Sequence, residues 1–129
     1  MFNINYKSQH PIYEQIIDQT VLFLMEGVLQ GGDKLPSVRE LATSLGVNPN
    51  TVQKAYGELE RRGYTENIVG KGTFISSSHQ VEKDLAHQFK ESLKEIFYDM
   101  SRVGFNSDYI QQIVISVLKE EEYVTDTKS

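Results

Sequence analysis

Ile12, Ile16, Ile17, Thr20, Leu24 and Val28 follow a short extended arm and recur at helical spacing. Pro11 suits the first turn of that helix, where its missing N–H has no partner to lose. Gly31-Gly32 are expected to end it. Ser37 and Glu40 then stand at capping-box spacing, each side chain able to satisfy a backbone N–H of the other. The helix they open turns Val38, Leu41, Ala42 and Leu45 inward, and Gly46 is placed to stop it. Asn48 can cap a third helix with Pro49 at its first position, an apolar stripe of Val52, Ala55, Tyr56 and Leu59, and Gly63 at its close. Two short helices across a glycine-containing turn are the helix-turn-helix signature. Tyr64–Ile68 and Thr73–Ile75 read as strands joined by Val69-Gly70-Lys71-Gly72, a hairpin with a glycine-rich tip.

Ser76-Ser77-Ser78 breaks the composition and marks an expected hinge. Beyond it Val81, Leu85, Phe89, Leu93, Ile96, Phe97 and Met100 keep a helical stripe as far as Gly104. Ser107 is placed to cap a last helix carrying Ile110, Ile113, Val114, Val117 and Leu118, and the polar tail from Glu120 is expected to fray. The fold class is therefore α+β, mostly α: a winged helix-turn-helix over residues 1–76, then a two-helix segment over 77–129. Two helices joined by a short loop bury little surface by themselves. Their stripes must pack back on the winged domain or against a second copy, and an apolar stripe of this size favours the second. A homodimer is expected, held by Leu85, Phe89, Leu93, Ile96, Phe97, Met100, Ile110, Ile113, Val114 and Val117.

Composition narrows the function. The 129 residues hold no cysteine, which excludes disulfides, thiolate metal sites and cysteine nucleophiles and fits a reducing compartment. Met1–Ser8 lacks the apolar core of a signal peptide. The longest apolar run, Val21–Met25, is far short of the roughly 20 residues that span a bilayer. A soluble, cytoplasmic protein without membrane contact is expected. The net charge of −5 is uneven: residues 79–129 carry −4, while residues 34–73 hold 6 Lys+Arg against 4 Asp+Glu. A nucleic-acid face is permitted rather than required.

Catalytic readings find little support. His10, His79 and His87 are scattered, and His79 and His87 with Asp84 make at best weak metal ligands without a fourth partner. No serine sits in a nucleophile elbow. A phosphate-binding loop fails at the tip, because Thr65 and Gly72 stand where glycine and a hydroxyl residue are needed. No enzyme, metal or cofactor is expected. By contrast, the second helix of a helix-turn-helix enters the major groove with its N-terminal residues at the base edges. Here those are Asn48, Asn50, Thr51, Gln53 and Lys54. Asn and Gln can pair with adenine, and Thr can meet a phosphate or a thymine methyl. Asn48 also serves as a cap, and Lys54 reads equally as a solvated lysine. Arg39 sits beside the turn, where a surface ion pair is its ordinary reading, and Ser37 reads as a cap with a phosphate contact available. Gly70-Lys71-Gly72 sets a cation between residues that let the backbone approach a ligand, which suits a phosphate or minor-groove contact.

The runs Leu35-Pro36-Ser37-Val38-Arg39-Glu40-Leu41-Ala42, Leu45-Gly46-Val47-Asn48-Pro49-Asn50-Thr51-Val52-Gln53-Lys54-Ala55-Tyr56 and Gly70-Lys71-Gly72-Thr73-Phe74 closely resemble the DNA-binding domain of the GntR family of bacterial transcription regulators. Pro11-Ile12-Tyr13-Glu14-Gln15-Ile16 fits the family's first helix. The resemblance covers about residues 9–76 and implies a DNA contact for Arg39. Val69 departs from the pattern, since family members often carry a basic residue before the wing tip. The short helical remainder resembles the YtrA-type branch, which lacks the larger effector domains of other branches and controls transporter operons linked to envelope or antibiotic stress.

Together these readings predict a homodimeric repressor that binds double-stranded DNA at an inverted repeat. A small effector near Phe89, Phe97 or Phe105 is a candidate switch. The rival reading is a winged module for protein contact. The polar Asn50-Thr51-Val52-Gln53 surface speaks against it, because a protein interface would favour aromatic and apolar anchors there.

Overall fold

A computed structural model describes residues 1–77 and 81–128, with side chains as far as residue 120. The chain runs α1 (Ile12–Met25), α2 (Val38–Leu45), α3 (Pro49–Arg61), β1 (Thr65–Ile68), β2 (Gly72–Ile75), α4 (Val81–Arg102) and α5 (Ser107–Lys128). It divides into two compact units, Met1–Lys83 and Asp84–Ser129.

In the first unit α1 stops earlier than the Gly31-Gly32 pair suggests. Gly27 takes φ +76°, a left-handed conformation that glycine adopts without steric penalty. Val28 and Leu29 both donate their N–H to the Phe23 carbonyl, so the chain reverses there. Val28 is consequently 55% exposed, and Leu29 takes the buried position that helical spacing assigned to Val28. Pro11 is the residue before the first helical turn rather than within it. The local signals around the helix-turn-helix act as expected. Ser37 Oγ accepts from Glu40 N–H at 3.0 Å while Glu40 Oε1 accepts from Ser37 N–H at 3.3 Å. Gly46 ends α2 at φ +67°, and Asn48 caps α3 with Pro49 in its first turn.

Ile16, Leu35, Val52, Leu59 and Ile75 are fully buried at the centre, with Leu41, Ala42, Ala55, Tyr56 and Tyr64 around them. Val38 and Leu45 are half-buried against this core. The N-terminal arm is held by two glutamines one helical turn apart. Gln15 exchanges hydrogen bonds with the Asn5 backbone at 2.9 and 3.0 Å, and Gln19 does so with Asn3 at 2.8 and 2.6 Å. The Tyr6 hydroxyl donates to the Leu45 carbonyl at the end of α2.

β1 and β2 pair antiparallel, Thr65 opposite Ile75 and Ile68 opposite Gly72. A short third piece joins them that hydrophobic alternation did not mark. Lys34 bridges Phe74, Leu35 N–H donates to the Thr73 carbonyl at 2.9 Å, and Ile75 N–H donates to the Asp33 carbonyl at 2.8 Å. At the expected hinge, Ser76 N–H donates to the Tyr64 carbonyl at 3.0 Å, and Ser78 lies outside the described residues. Gly31 is glycine because the chain passes close by: a β-carbon there would lie 2.7 Å from Ser77 Cα.

In the second unit α4 ends before Gly104, which takes φ +103°. Asn106, not Ser107, caps α5, its Oδ1 accepting from Tyr109 N–H at 2.9 Å. The shift has a simple cause, since Asn and Ser are both good caps and Asn106 comes first. The backbone of α5 runs to Lys128, through a stretch free of glycine and proline. No described side chain from residue 84 onward is buried.

Candidate nucleic-acid interface

Of the residues singled out from the sequence, Ser37, Arg39, Asn48, Asn50, Gln53, Lys54, Gly70 and Lys71 are exposed, and Thr51 and Gly72 are half-buried. The α3 cap uses part of this polar supply. Asn48 Oδ1 accepts from Asn50 N–H at 2.8 Å, leaving the Asn48 amide hydrogens free to donate. Ser37 Oγ is likewise committed as an acceptor, while its own hydroxyl proton remains available. Tyr56 braces this end of the fold by donating to the Pro36 carbonyl at 2.7 Å. Burial, aided by the nearby Glu40 charge, pushes its phenol well above the ordinary tyrosine range.

A groove of about 340 Å³ opens between α2, α3 and the wing. It brings together Ser37 and Gln53 with Lys71 and Gly72, while Arg39, Asn48, Asn50, Thr51 and Gly70 lie outside it. Lys34 also lines it, although no spacing rule had drawn attention to that residue. The signal was present in the chain as a cation next to Leu35-Pro36-Ser37, but its place depends on the bridge to Phe74. Val69, at the wing tip, is 95% exposed.

The cations between residues 34 and 73 divide by partner. Arg61 and Arg62 both hydrogen-bond to Glu58, Arg62 Nε at 2.8 Å from Glu58 Oε1. These bonds hold the Glu58 carboxyl down to about 2. Lys54 Nζ lies 3.9 Å from the centre of the Tyr13 ring on α1, so it is engaged within the fold. Lys34, Arg39 and Lys71 form no ion pair among the described residues. The three cations with neither an ion pair nor a ring contact thus lie beside the turn or in the groove, where a polyanion would be met.

No group of three or more His, Asp or Glu side chains among the described residues is arranged to hold a metal ion, and His79 lies outside them. His10 instead meets Asp18 at 3.0 Å and Glu14 at 3.4 Å on α1.

Along the helical unit, Leu85, Phe97, Met100, Ile110, Ile113 and Val114 are half-buried, while Phe89, Leu93, Ile96 and Val117 are exposed. A cleft of about 530 Å³ between α4 and α5 is lined by Phe97, Ser101, Ile110 and Val114 among others. No helix among the described residues is long and apolar enough to cross a membrane.

The family of bacterial regulatory proteins named for gntR matches residues 12–75. The HTH-type transcriptional repressor YtrA of Bacillus subtilis (strain 168) is 44% identical over 115 residues, covering 87% of this chain and 88% of its own. A Listeria monocytogenes EGD-e protein solved as a transcriptional antiterminator superposes with a TM-score of 0.63 at 44% identity, over 91% of this chain and 89% of that one. The DNA-binding domain of AraR, solved in complex with operator ORX1, superposes with a TM-score of 0.51 at 28% identity, over 57% of this chain and 92% of that one. The winged helix-turn-helix, the cap and wing motifs and these relatives agree: the chain is a DNA-binding transcription regulator of the GntR family, on its YtrA-like branch.

Proposed function

We propose that the protein is a homodimeric repressor that reads an inverted-repeat operator. The observation that carries the DNA face is the division of the cations: Lys54, Arg61 and Arg62 are engaged within the fold, while Lys34, Arg39 and Lys71 are not. On this reading Asn50, Thr51 and Gln53, with the Asn48 amide, meet base edges in the major groove. Arg39, Ser37 and the Gly70-Lys71-Gly72 tip meet the backbone and fix the register. Lys54 contributes through Tyr13, by holding α3 to α1.

The dimer reading rests on the helical unit. Its apolar stripe has no buried member among the described residues, and a second copy of the same stripe would cover it. Two-fold symmetry in the protein then implies a two-fold operator, with half-sites about one helical turn apart. The α4–α5 cleft suits a small, largely apolar effector with Phe97 in its wall. Likeness to the Bacillus subtilis repressor supports repression, and a transporter operon is the target class that the branch implies. Such a regulator acts in the cytoplasm, where bacterial DNA lies.

Sedimentation of the chain alone and with its selected duplex tests the assembly. The expected result is a dimer in both samples. A monomer seated on a single half-site overturns the dimeric reading.

A further inference from the structure

We infer that Lys34 is a further ligand of the DNA backbone, so that the groove between α3 and the wing seats a phosphodiester group. The inference rests on the DNA-binding reading above and adds a residue and a ligand position to it. The backbone of Lys34 is fixed as part of the wing sheet by its bridge to Phe74 and by the Leu35–Thr73 hydrogen bond. Its side chain passes against Gly72: a β-carbon on Gly72 would lie 3.1 Å from Lys34 Cε and 3.8 Å from Nζ. Gly72, at φ +121°, is therefore glycine for two reasons, its backbone conformation and the lysine beside it.

That path brings the Lys34 ammonium into the groove that Lys71 also lines. Glu40 and Glu60 line the groove too, yet neither pairs with a lysine among the described residues, and Glu40 is already accepting from the Ser37 N–H. Lys34 and Lys71 form no ion pair among the described residues, so both ammonium groups stay available to an anion that enters the groove. The remaining lining is polar. Ser37 and Gln53 supply donors, and Thr65 is buried with an Oγ1 that has no partner among the described residues. A phosphate flanked by the recognition helix and the wing would meet both ammonium groups and these donors.

Binding of the full chain to duplex DNA, measured from about 50 to 200 mM salt, tests the inference. Each phosphate contact contributes about 0.9 to the slope of log affinity against log salt. Lys34→Gln should flatten the slope by about that amount, so its affinity should fall about three- to fourfold less than wild type across the range. The effect should be equal on selected and unrelated duplexes. Lys34→Arg should restore the slope, and Lys94→Gln, an equal charge change on α4, should leave it unaltered. A wild-type slope in Lys34→Gln overturns this assignment alone, and so does the same loss in Lys94→Gln. Failure of the wild-type chain to bind any duplex overturns the DNA-binding reading with it. If inorganic phosphate at millimolar levels weakens wild type and Lys34→Gln equally, the groove does not hold phosphate through Lys34.

Discussion

Lys54 Nζ stands 3.9 Å from the centre of the Tyr13 ring, which ties the recognition helix to α1 through a cation–π contact. Lys54 is exposed and stands next to Gln53, yet its ammonium is turned onto the Tyr13 ring. At a partly exposed site such a contact is worth about 0.5–1 kcal/mol. Lys54→Gln should therefore lower unfolding stability by about that amount in urea titrations. The salt slope of DNA binding should stay at the wild-type value. A flatter slope with unchanged stability would return Lys54 to the DNA face.

Arg39 is exposed in the first turn of α2 and forms no ion pair among the described residues. Removing it has no internal partner to orphan. Arg39→Ala, which removes a backbone contact, should weaken binding about equally on selected and unrelated duplexes and flatten the salt slope by about 1. The melting temperature and the dimer should be almost unaltered. Binding titrations beside a thermal melt separate the two effects, and wild-type affinity would remove Arg39 from the interface.

Glu58 titrates unusually low, at about 2, because the Arg61 and Arg62 hydrogen bonds favour its charged form. A carboxyl lowered on folding adds stability that is present above its unfolded value, about 4.3. That stability fades as the pH falls through that value toward about 2. Carbon-detected NMR titration should place the Glu58 midpoint near 2, and Arg62→Gln should move it upward. A midpoint at the ordinary glutamate value would mean that the paired geometry does not persist in solution.

Phe89 on α4 is 64% exposed, with Leu93 and Ile96 on the same stripe. If a second copy covers them, Phe89→Glu buries a charge and loses about 1.5–3 kcal/mol of apolar transfer energy. Light scattering at micromolar concentration should then show monomers, with weaker operator binding and an intact winged unit by circular dichroism. A dimer as tight as wild type would exclude this stripe from the interface.

Features written in a few adjacent residues were legible before the fold was known. The Ser37–Glu40 capping box, the Asn48 cap and the left-handed Gly46 are local, and so are the wing tip and the exposed polar run at the start of α3. What stayed hidden depends on partners distant in the chain. Nothing near Lys34 announces Phe74, and nothing near Lys54 announces Tyr13. The Gln15 and Gln19 clamp on the arm reads in sequence as ordinary polar positions of a helix. Where two local signals competed, the earlier one prevailed: Gly27 ended α1 ahead of Gly31, and Asn106 capped α5 ahead of Ser107.

Selection of bound duplexes from a random-sequence pool at near-physiological salt tests the central claim most directly. The account predicts enrichment of an inverted repeat whose half-sites lie about ten base pairs apart, one for each recognition helix of a dimer. A folded, dimeric sample that enriches no sequence, or only an isolated half-site, would contradict it.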